Sequence, residues 1–387
     1  MAEAKPRVTY HQKAVFRIAT GTILLFLFVF SKVEGRQHQE SKPKDTIRHT
    51  HSLDIQPFYG FIMQHAPSVA HLVDSHPRGL QLDFRQHTYG YNDWEAIYNY
   101  PDAGLSLTYF DYQNEELGKS VGLLGFYDVY FLRKSDHTLR WRVGFGAGYH
   151  TTPYDREENN KNNLLGSTLT FALQSRLSYA FRFHPQWESS LSVSLTHFSN
   201  GAISKPNKGI NIPGINTGIA YRLEAKEPEY KDRPAWIIPD RRWHINILLS
   251  GGVKEIEPLG LPRYPFMVAT TYADYRASQR SALQIGIEGF FSRASREEIR
   301  WDRELQQGNK PDYRRIGIIA GHELLINRLS IVTQAGFYIY APYNRDKPVY
   351  QRYGLKYYWG KGGFASLMLK THLANADAVE CGVGWRI

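Results

Sequence analysis

The eleven residues Leu139–Tyr149 read LRWRVGFGAGY, and their alternation decides the fold. The odd positions are Leu139, Trp141, Val143, Phe145, Ala147 and Tyr149; the even ones are Arg140, Arg142, Gly144, Gly146 and Gly148. A strand sends successive side chains to opposite faces, so this segment has one apolar face and one made of arginine and glycine. The pattern returns in Leu165–Phe183, Trp243–Leu249, Leu283–Ile287, Leu329–Ile339, Ala365–Leu369 and Val379–Ile387. A soluble sandwich or propeller would have shorter strands and a polar face richer in charge. Long strands that end in aromatics and carry Gly, Ser and Arg on the other parity fit a barrel with lipid outside and a polar interior.

Composition agrees. The 387 residues include 26 Tyr, 20 Phe, 8 Trp and 32 Gly, the aromatic and glycine excess of twisted strands and interfacial girdles. The expected fold is all-β: a transmembrane antiparallel barrel of about 14–16 strands over residues 57–387. The chain ends within a strand, Val383–Ile387, whose natural use is closure against the first, because lipid tolerates no unpaired edge. Connections of unequal length alternate. His150–Leu164, Asn200–Pro213, Lys254–Arg263 and Ser292–Asp312 are long and assigned outside, whereas Arg133–His137, Phe183–Gln186, Ala277–Arg280 and Asn327–Arg328 are tight links assigned inside. Two long segments, Tyr89–Pro101 and Glu224–Asp240, fall inside against this trend.

The N-terminus implies export. Ile18–Phe30 is an apolar run preceded by Lys5, Arg7, Lys13 and Arg17, short for a span and shaped like a secretory signal, so residues 1–35 read as a signal peptide, with an uncleaved anchor as the alternative. Residues 36–56, polar and His-rich, read as an unstructured periplasmic leader in which His49 and His51 are solvated. The single cysteine, Cys381, excludes a disulfide framework and reads as an apolar strand residue. These features place the protein in a bacterial outer membrane.

One strand breaks its own pattern. In Ser189–Asn200 the odd positions Leu191, Val193 and Leu195 are apolar, and His197 and Ser199 then continue the same, lipid-facing parity at the strand's outer end. Residues two apart on a strand have Cα atoms roughly 7 Å apart, so an imidazole and a hydroxyl can meet there. Histidine can take the serine proton and serine can attack an ester carbonyl, while Asn200 and the backbone of the turn at Gly201 can stabilise an oxyanion. Interfacial decoration is the plainer reading of His-x-Ser taken by itself.

The stretch His197-Phe198-Ser199-Asn200-Gly201, followed by Pro206-Asn207-Lys208-Gly209-Ile210, resembles the signature H-x-S-N followed by P-N-x-G-[IL]-E of the outer-membrane lipid A 3-O-deacylase (PagL-type) and acyloxyacyl hydrolase family, and Gly148–Ser167 is similar to the longer versions in Bacteroides-like bacteria. The resemblance implies a β-barrel serine esterase that removes an ester-linked acyl chain from lipid A, with His197 as base, Ser199 as nucleophile, Asn200 and Gly201 at the oxyanion and no cofactor. It departs at Asn211, where the family has the Glu that orients the histidine. Replacing the acid of such a triad by its amide can cost about 10⁴ in kcat. Asn211 orienting a neutral His197 is the favoured reading; a carboxylate of Asp155, Glu157 or Glu158 is the alternative. The family's barrel has about eight strands, so the region after Arg242 has no counterpart in it.

Other motifs yield less. Gly118–Gly122 matches G-x-S-x-G without a strand-to-helix elbow, and His322-Glu323 lacks the second histidine of a zinc helix, so no metal site is expected. The net charge of +10 is spread along the chain instead of clustering with stacking aromatics, which argues against nucleic acid. Anionic lipopolysaccharide is the better partner, with Arg156, Lys161, Lys205 and Lys208 as candidates to hold its phosphates; a homo-oligomer is compatible with such a barrel. The alternative functions are a non-catalytic barrel, either pore or structural protein, and a phospholipase.

Overall fold

The structure, a computed structural model, describes residues 48–234, 242–302, 305, 308, 310–343, 346–373 and 375–387. The expected signal peptide and most of the expected leader lie outside the described residues. Two closed antiparallel barrels account for the sheet. The first comprises β1 (Thr50–Gly60), β2 (Arg78–His87), β3 (Asp102–Asp111), β4 (Lys119–Arg133), β5 (His137–His150), β6 (Leu169–His184), β7 (Trp187–Ser199) and β8 (Ile210–Arg222). The second comprises β9 (Trp243–Lys254), β10 (Tyr264–Arg276), β11 (Ser281–Ser292), β12 (Arg315–Ile326), β13 (Leu329–Tyr340), β14 (Val349–Trp359), β15 (Gly363–His372) and β16 (Asn375–Arg386).

The strand number falls within expectation, and the closure differs from it. The last strand does not seal the first: β8 pairs β1, with Ile219 opposite Ile55, and β16 pairs β9, with Val383 opposite Leu249. Each eight-strand sheet thereby pairs its own edges, which satisfies lipid twice over. The leader also ends earlier than expected, since Thr50–Gln56 already belongs to β1. Within it Ser52, Asp54 and Gln56 are buried while Leu53 and Ile55 are about half exposed. His49 and His51 are not simply solvated either: His49 Nε2 lies 2.9 Å from Glu95 Oε1, and His51 Nδ1 lies 3.0 Å from Glu224 Oε1. The long Glu224 segment thus carries the partner of a β1 side chain.

Alternation sorts the side chains of the first barrel. On β7, Leu191 and Val193 are 58 % and 57 % exposed, whereas Ser192 and Thr196 are 2 % and 0 % exposed. Inside, Arg142 donates from Nε to Asp128 at 2.7 Å and from Nη1 to Asp83 at 2.6 Å, Arg176 reaches Asp83 at 2.8 Å, and Arg140 reaches Glu188 at 2.7 Å. Buried charges persist only when paired in this manner, and removing one partner costs about 3–5 kcal/mol. The second barrel is filled by the same device: Arg352 bonds Glu288 at 2.6 Å and Glu380 at 2.9 Å, and Lys356 bonds Glu323 at 2.9 Å.

Among the described residues the connections hold a 3-10 helix (Pro67–Leu72) and two short α-helices, α1 (Asp93–Ile97) and α2 (Arg293–Trp301). The chain divides into two compact units, one holding residues up to Asn200 and Pro206–Pro234, the other Gly201–Lys205 and Ala235–Ile387. Among the described residues no helix is long and apolar enough to cross a membrane.

Candidate active site

Phe198 sets the geometry of the outward end of β7. It is fully buried, packed edge-on against Phe110 at 6.1 Å and His150 at 5.1 Å between ring centres. Gly148 makes room for it: a Cβ there would stand 2.5 Å from Phe198 Cδ1, which explains one glycine of the alternation in Leu139–Tyr149. With Phe198 locked inward, the pleat directs its neighbours His197 and Ser199 to the outer face. Both are partly exposed.

Strand pairing supplies the next contact. His197 lies directly opposite Asn211 on β8, and His197 Nδ1 is 2.8 Å from Asn211 Oδ1. A proton on Nδ1 donates to that oxygen and leaves the Nε2 lone pair free to act as a base. The residue that departs from the family pattern thus faces His197 across the strand pair.

The connection between β7 and β8 adds a residue to which the sequence assigns no role. Asn207 donates from Nδ2 to Ser199 Oγ at 2.8 Å, and its Oδ1 accepts from the Asn200 backbone N–H at 3.3 Å. Its signal is the Pro206-Asn207 pair of the motif. Asn200 itself is buried; its Nδ2 donates to Ser167 Oγ at 3.1 Å and its backbone N–H to Asn207. Gly201 adopts φ +61°, a conformation suited to glycine.

Gly209 seats the histidine. Its φ of +74° favours glycine, and a Cβ there would come within 2.7 Å of His197 Cε1. The backbone beside it is tied down, because Gly209 N–H donates to Leu164 O at 2.9 Å and Lys208 N–H to Asn163 O at 3.0 Å. That second loop is folded by its own asparagines: Asn162 Oδ1 accepts from Leu164 and Leu165 N–H, and its Nδ2 donates to Thr152 O at 2.7 Å.

Of the candidate substitutes for the missing acid, Asp155 is engaged elsewhere. Asp155 accepts from the Glu157 and Glu158 N–H groups at 2.8 and 3.0 Å, and these bonds hold its carboxyl below the usual range. Of the cationic candidates, Arg156 and Lys208 are exposed on loops, Lys161 lies 3.3 Å from Glu116, and Lys205, which belongs to the second unit, lies 3.2 Å from Glu257. Two of the four therefore carry carboxylate partners. Ser120 of the G-x-S-x-G match is buried against His150 Nδ1 at 2.5 Å, and His322 Nε2 bonds Ser281 Oγ at 2.6 Å. Among the described residues no group of three ligating side chains is arranged for a metal.

Residues 78–220 match the family model of lipid A 3-O-deacylase (PagL), and residues 243–387 match that of the acyloxyacyl hydrolase C-terminal domain. The second match gives the region after Arg242 the counterpart that the eight-strand family lacks. Among solved structures, the chain is similar to the outer membrane enzyme PagL at 16 % identity, over 43 % of this chain and 97 % of that one, with a TM-score of 0.33. It is also similar to Ail, the attachment invasion locus protein of Yersinia pestis, at 14 % identity over 46 % and 100 %, TM-score 0.25. A third is the P. putida toluene transporter TodX, at 8 % identity over 88 % and 90 %, TM-score 0.18. Among curated proteins none matches. With one match in each barrel and the H-x-S-N element within the first, the chain belongs to the lipid A 3-O-deacylase and acyloxyacyl hydrolase family of bacterial outer-membrane barrels.

Proposed function

We propose that this chain is an active serine esterase that removes an ester-linked acyl chain from lipid A at the outer-leaflet interface, with Ser199 as nucleophile and His197 as general base. The observation that carries the reading is the pair of amides on the outward face. Asn207 donates to Ser199 Oγ, and Asn211 offers its oxygen to His197 Nδ1. In this mechanism Nε2 takes the Ser199 proton as Oγ bonds to the ester carbonyl carbon. The Asn207 amide, 2.8 Å from Ser199 Oγ, would donate to the oxyanion, a contribution of about 10²–10³ in kcat. Collapse of the intermediate breaks the bond to the sugar oxygen, which leaves with the proton from Nε2. A water deprotonated by the same nitrogen then cleaves the acyl-serine and frees the fatty acid.

A substrate held in the outer leaflet presents its ester to the barrel's outside, so a lipid-facing site needs no lumen. Arg156 and Lys208, exposed beside the site's loops, are the better placed of the four cations to meet lipid A phosphates, because Lys161 and Lys205 have carboxylate partners. The test is fatty-acid release from purified lipid A by the refolded protein, with and without an alkyl fluorophosphonate. Release blocked by an adduct whose mass maps to Ser199 supports the reading; release that survives the adduct contradicts it.

A non-catalytic barrel is the second reading, and Asn211 in place of the family Glu is what favours it. As a pore it is disfavoured by the ion-paired side chains across both lumens, Arg142 with Asp83 and Arg352 with Glu288 among them.

A further inference from the structure

We infer that His65 is a positioning residue for the catalytic histidine: it fixes the orientation of the Asn211 amide and so lets an amide do what a carboxylate does elsewhere in the family. The inference rests on the proposed function and names a component that the motif does not contain.

A carboxylate facing a histidine cannot be wrong way round, since both oxygens accept. An amide can. If Asn211 turned Nδ2 toward His197, that nitrogen would donate to Nδ1, the ring proton would move to Nε2, and the base would be lost. This is the tautomer failure behind the roughly 10⁴-fold loss when an acid of this kind becomes an amide. Something must therefore hold Oδ1 toward His197.

The first strand's extension supplies it. Beyond Gly60 the chain keeps running beside β8, with Phe61 N–H donating to Pro213 O at 3.1 Å and Met63 N–H to Asn211 O at 2.9 Å. This carries His65 to the far side of the amide, where its Nδ1 lies 3.4 Å from Asn211 Nδ2. His65 Nδ1 also lies 3.3 Å from Met63 O, and its Nε2 lies 3.1 Å from Lys208 O. Both carbonyls can only accept, and a neutral ring has one proton. The shorter bond puts that proton on Nε2. Nδ1 is left as an acceptor, and the amide nitrogen is the donor beside it. The chain of donors and acceptors then has one consistent direction, Asn211 Nδ2 to His65 and His197 Nδ1 to Asn211 Oδ1, which leaves the lone pair of His197 on Nε2.

The experiment compares His65→Leu and His65→Gln in the natural chain and in an Asn211→Glu background. Folding is checked by heat-modifiable mobility, kcat and KM are measured on lipid A, and ¹⁵N-histidine NMR reads the His197 tautomer. The expected result is a fall of about 10²-fold in kcat for His65→Leu with little change in KM, a fraction of the full tautomer penalty. His65→Gln, whose oxygen accepts from the same amide, should recover most of it. In the Asn211→Glu background the loss from His65→Leu should shrink below about threefold, because the two sites no longer couple. The NMR should show a proton on Nδ1 of His197 in the natural chain and a mixture of tautomers in His65→Leu. Equal losses in both backgrounds, or an unchanged tautomer, would overturn the inference. A natural chain that releases no fatty acid, yet shows the tautomer change, would sink the esterase reading and leave this one standing.

Discussion

In the first barrel the seventh strand, β7, keeps its outward parity to the end: Leu191, Val193, Leu195, then His197 and Ser199. In the second barrel the seventh strand, β15, runs outward through Ala365, Leu367 and Leu369, and its pairing with β16 then shifts register at Lys370/Thr371, so that Thr371 and His372 are buried. Both barrels have eight strands, and both fill their lumens with ion pairs. What distinguishes the end of β7 is the loop that follows it, which brings Asn207 onto Ser199, and the neighbouring strand, which sets Asn211 against His197. Lipid facing should normally exclude such residues. The second barrel also carries such a pair, since Ser281 of β11 and His322 of β12 meet at 2.6 Å on the outward parity, but among the described residues no loop amide like Asn207 donates to that serine, as one does to Ser199.

Making β7 resemble β15 should erase the difference between the two strands. The double variant His197→Leu, Ser199→Leu should fold and insert, since it extends an apolar row, while deacylation falls by at least about 10⁴-fold. Heat-modifiable mobility alongside fatty-acid release checks both halves. Next in size is Asn207→Ala, for which kcat should drop about 10²–10³-fold in steady-state assays with KM nearly constant, as for an oxyanion donor. A change in KM alone would instead make Asn207 a binding residue. Gly209→Ala follows, because the added Cβ lies 2.7 Å from His197 Cε1 at a φ of +74°. A displacement of about 1 Å at the base can cost about 10² in rate, so a loss between about 10- and 100-fold is expected.

The smallest effect on activity should come from the second barrel's interior. Arg352→Met leaves Glu288 and Glu380 unpaired and should destabilise that barrel by about 3–5 kcal/mol, seen as a lower unfolding temperature. Fatty-acid release measured well below that temperature should stay within about twofold, as expected for sites that share no partner. Arg142→Met, which strips Asp83 and Asp128 of a partner in the first barrel, should lower stability by a similar amount.

These contrasts also show which features a sequence reveals. Leu191 and Val193 against Ser192 and Ser194 mark the strand, its faces and the odd placement of His197 and Ser199, because alternation is local. Closure is not local. Ile219 on β8 could pair equally well with Ile55 or with an apolar residue on β9, and only the full register selects the former. That is why alternation alone reads sixteen strands as one barrel. The start of β1 is hidden because His51, Ser52, Asp54 and Gln56 read as a polar leader, although the alternating Leu53 and Ile55 already mark it as a strand. Asn211 is legible through its motif position. Asn207 sits in the same motif without a role until its amide is seen on Ser199, and His65 lies 146 residues from Asn211, beyond the reach of any spacing rule.

Ser199 on the outer face of β7 is proposed to cleave an acyl ester of lipid A. The most direct measurement is mass spectrometry of lipid A from cells carrying the natural chain, Ser199→Ala, or an empty vector. Lipid A should lose one acyl chain with the natural protein only. Identical lipid A in all three, with the barrel shown to be folded in the outer membrane, would contradict it.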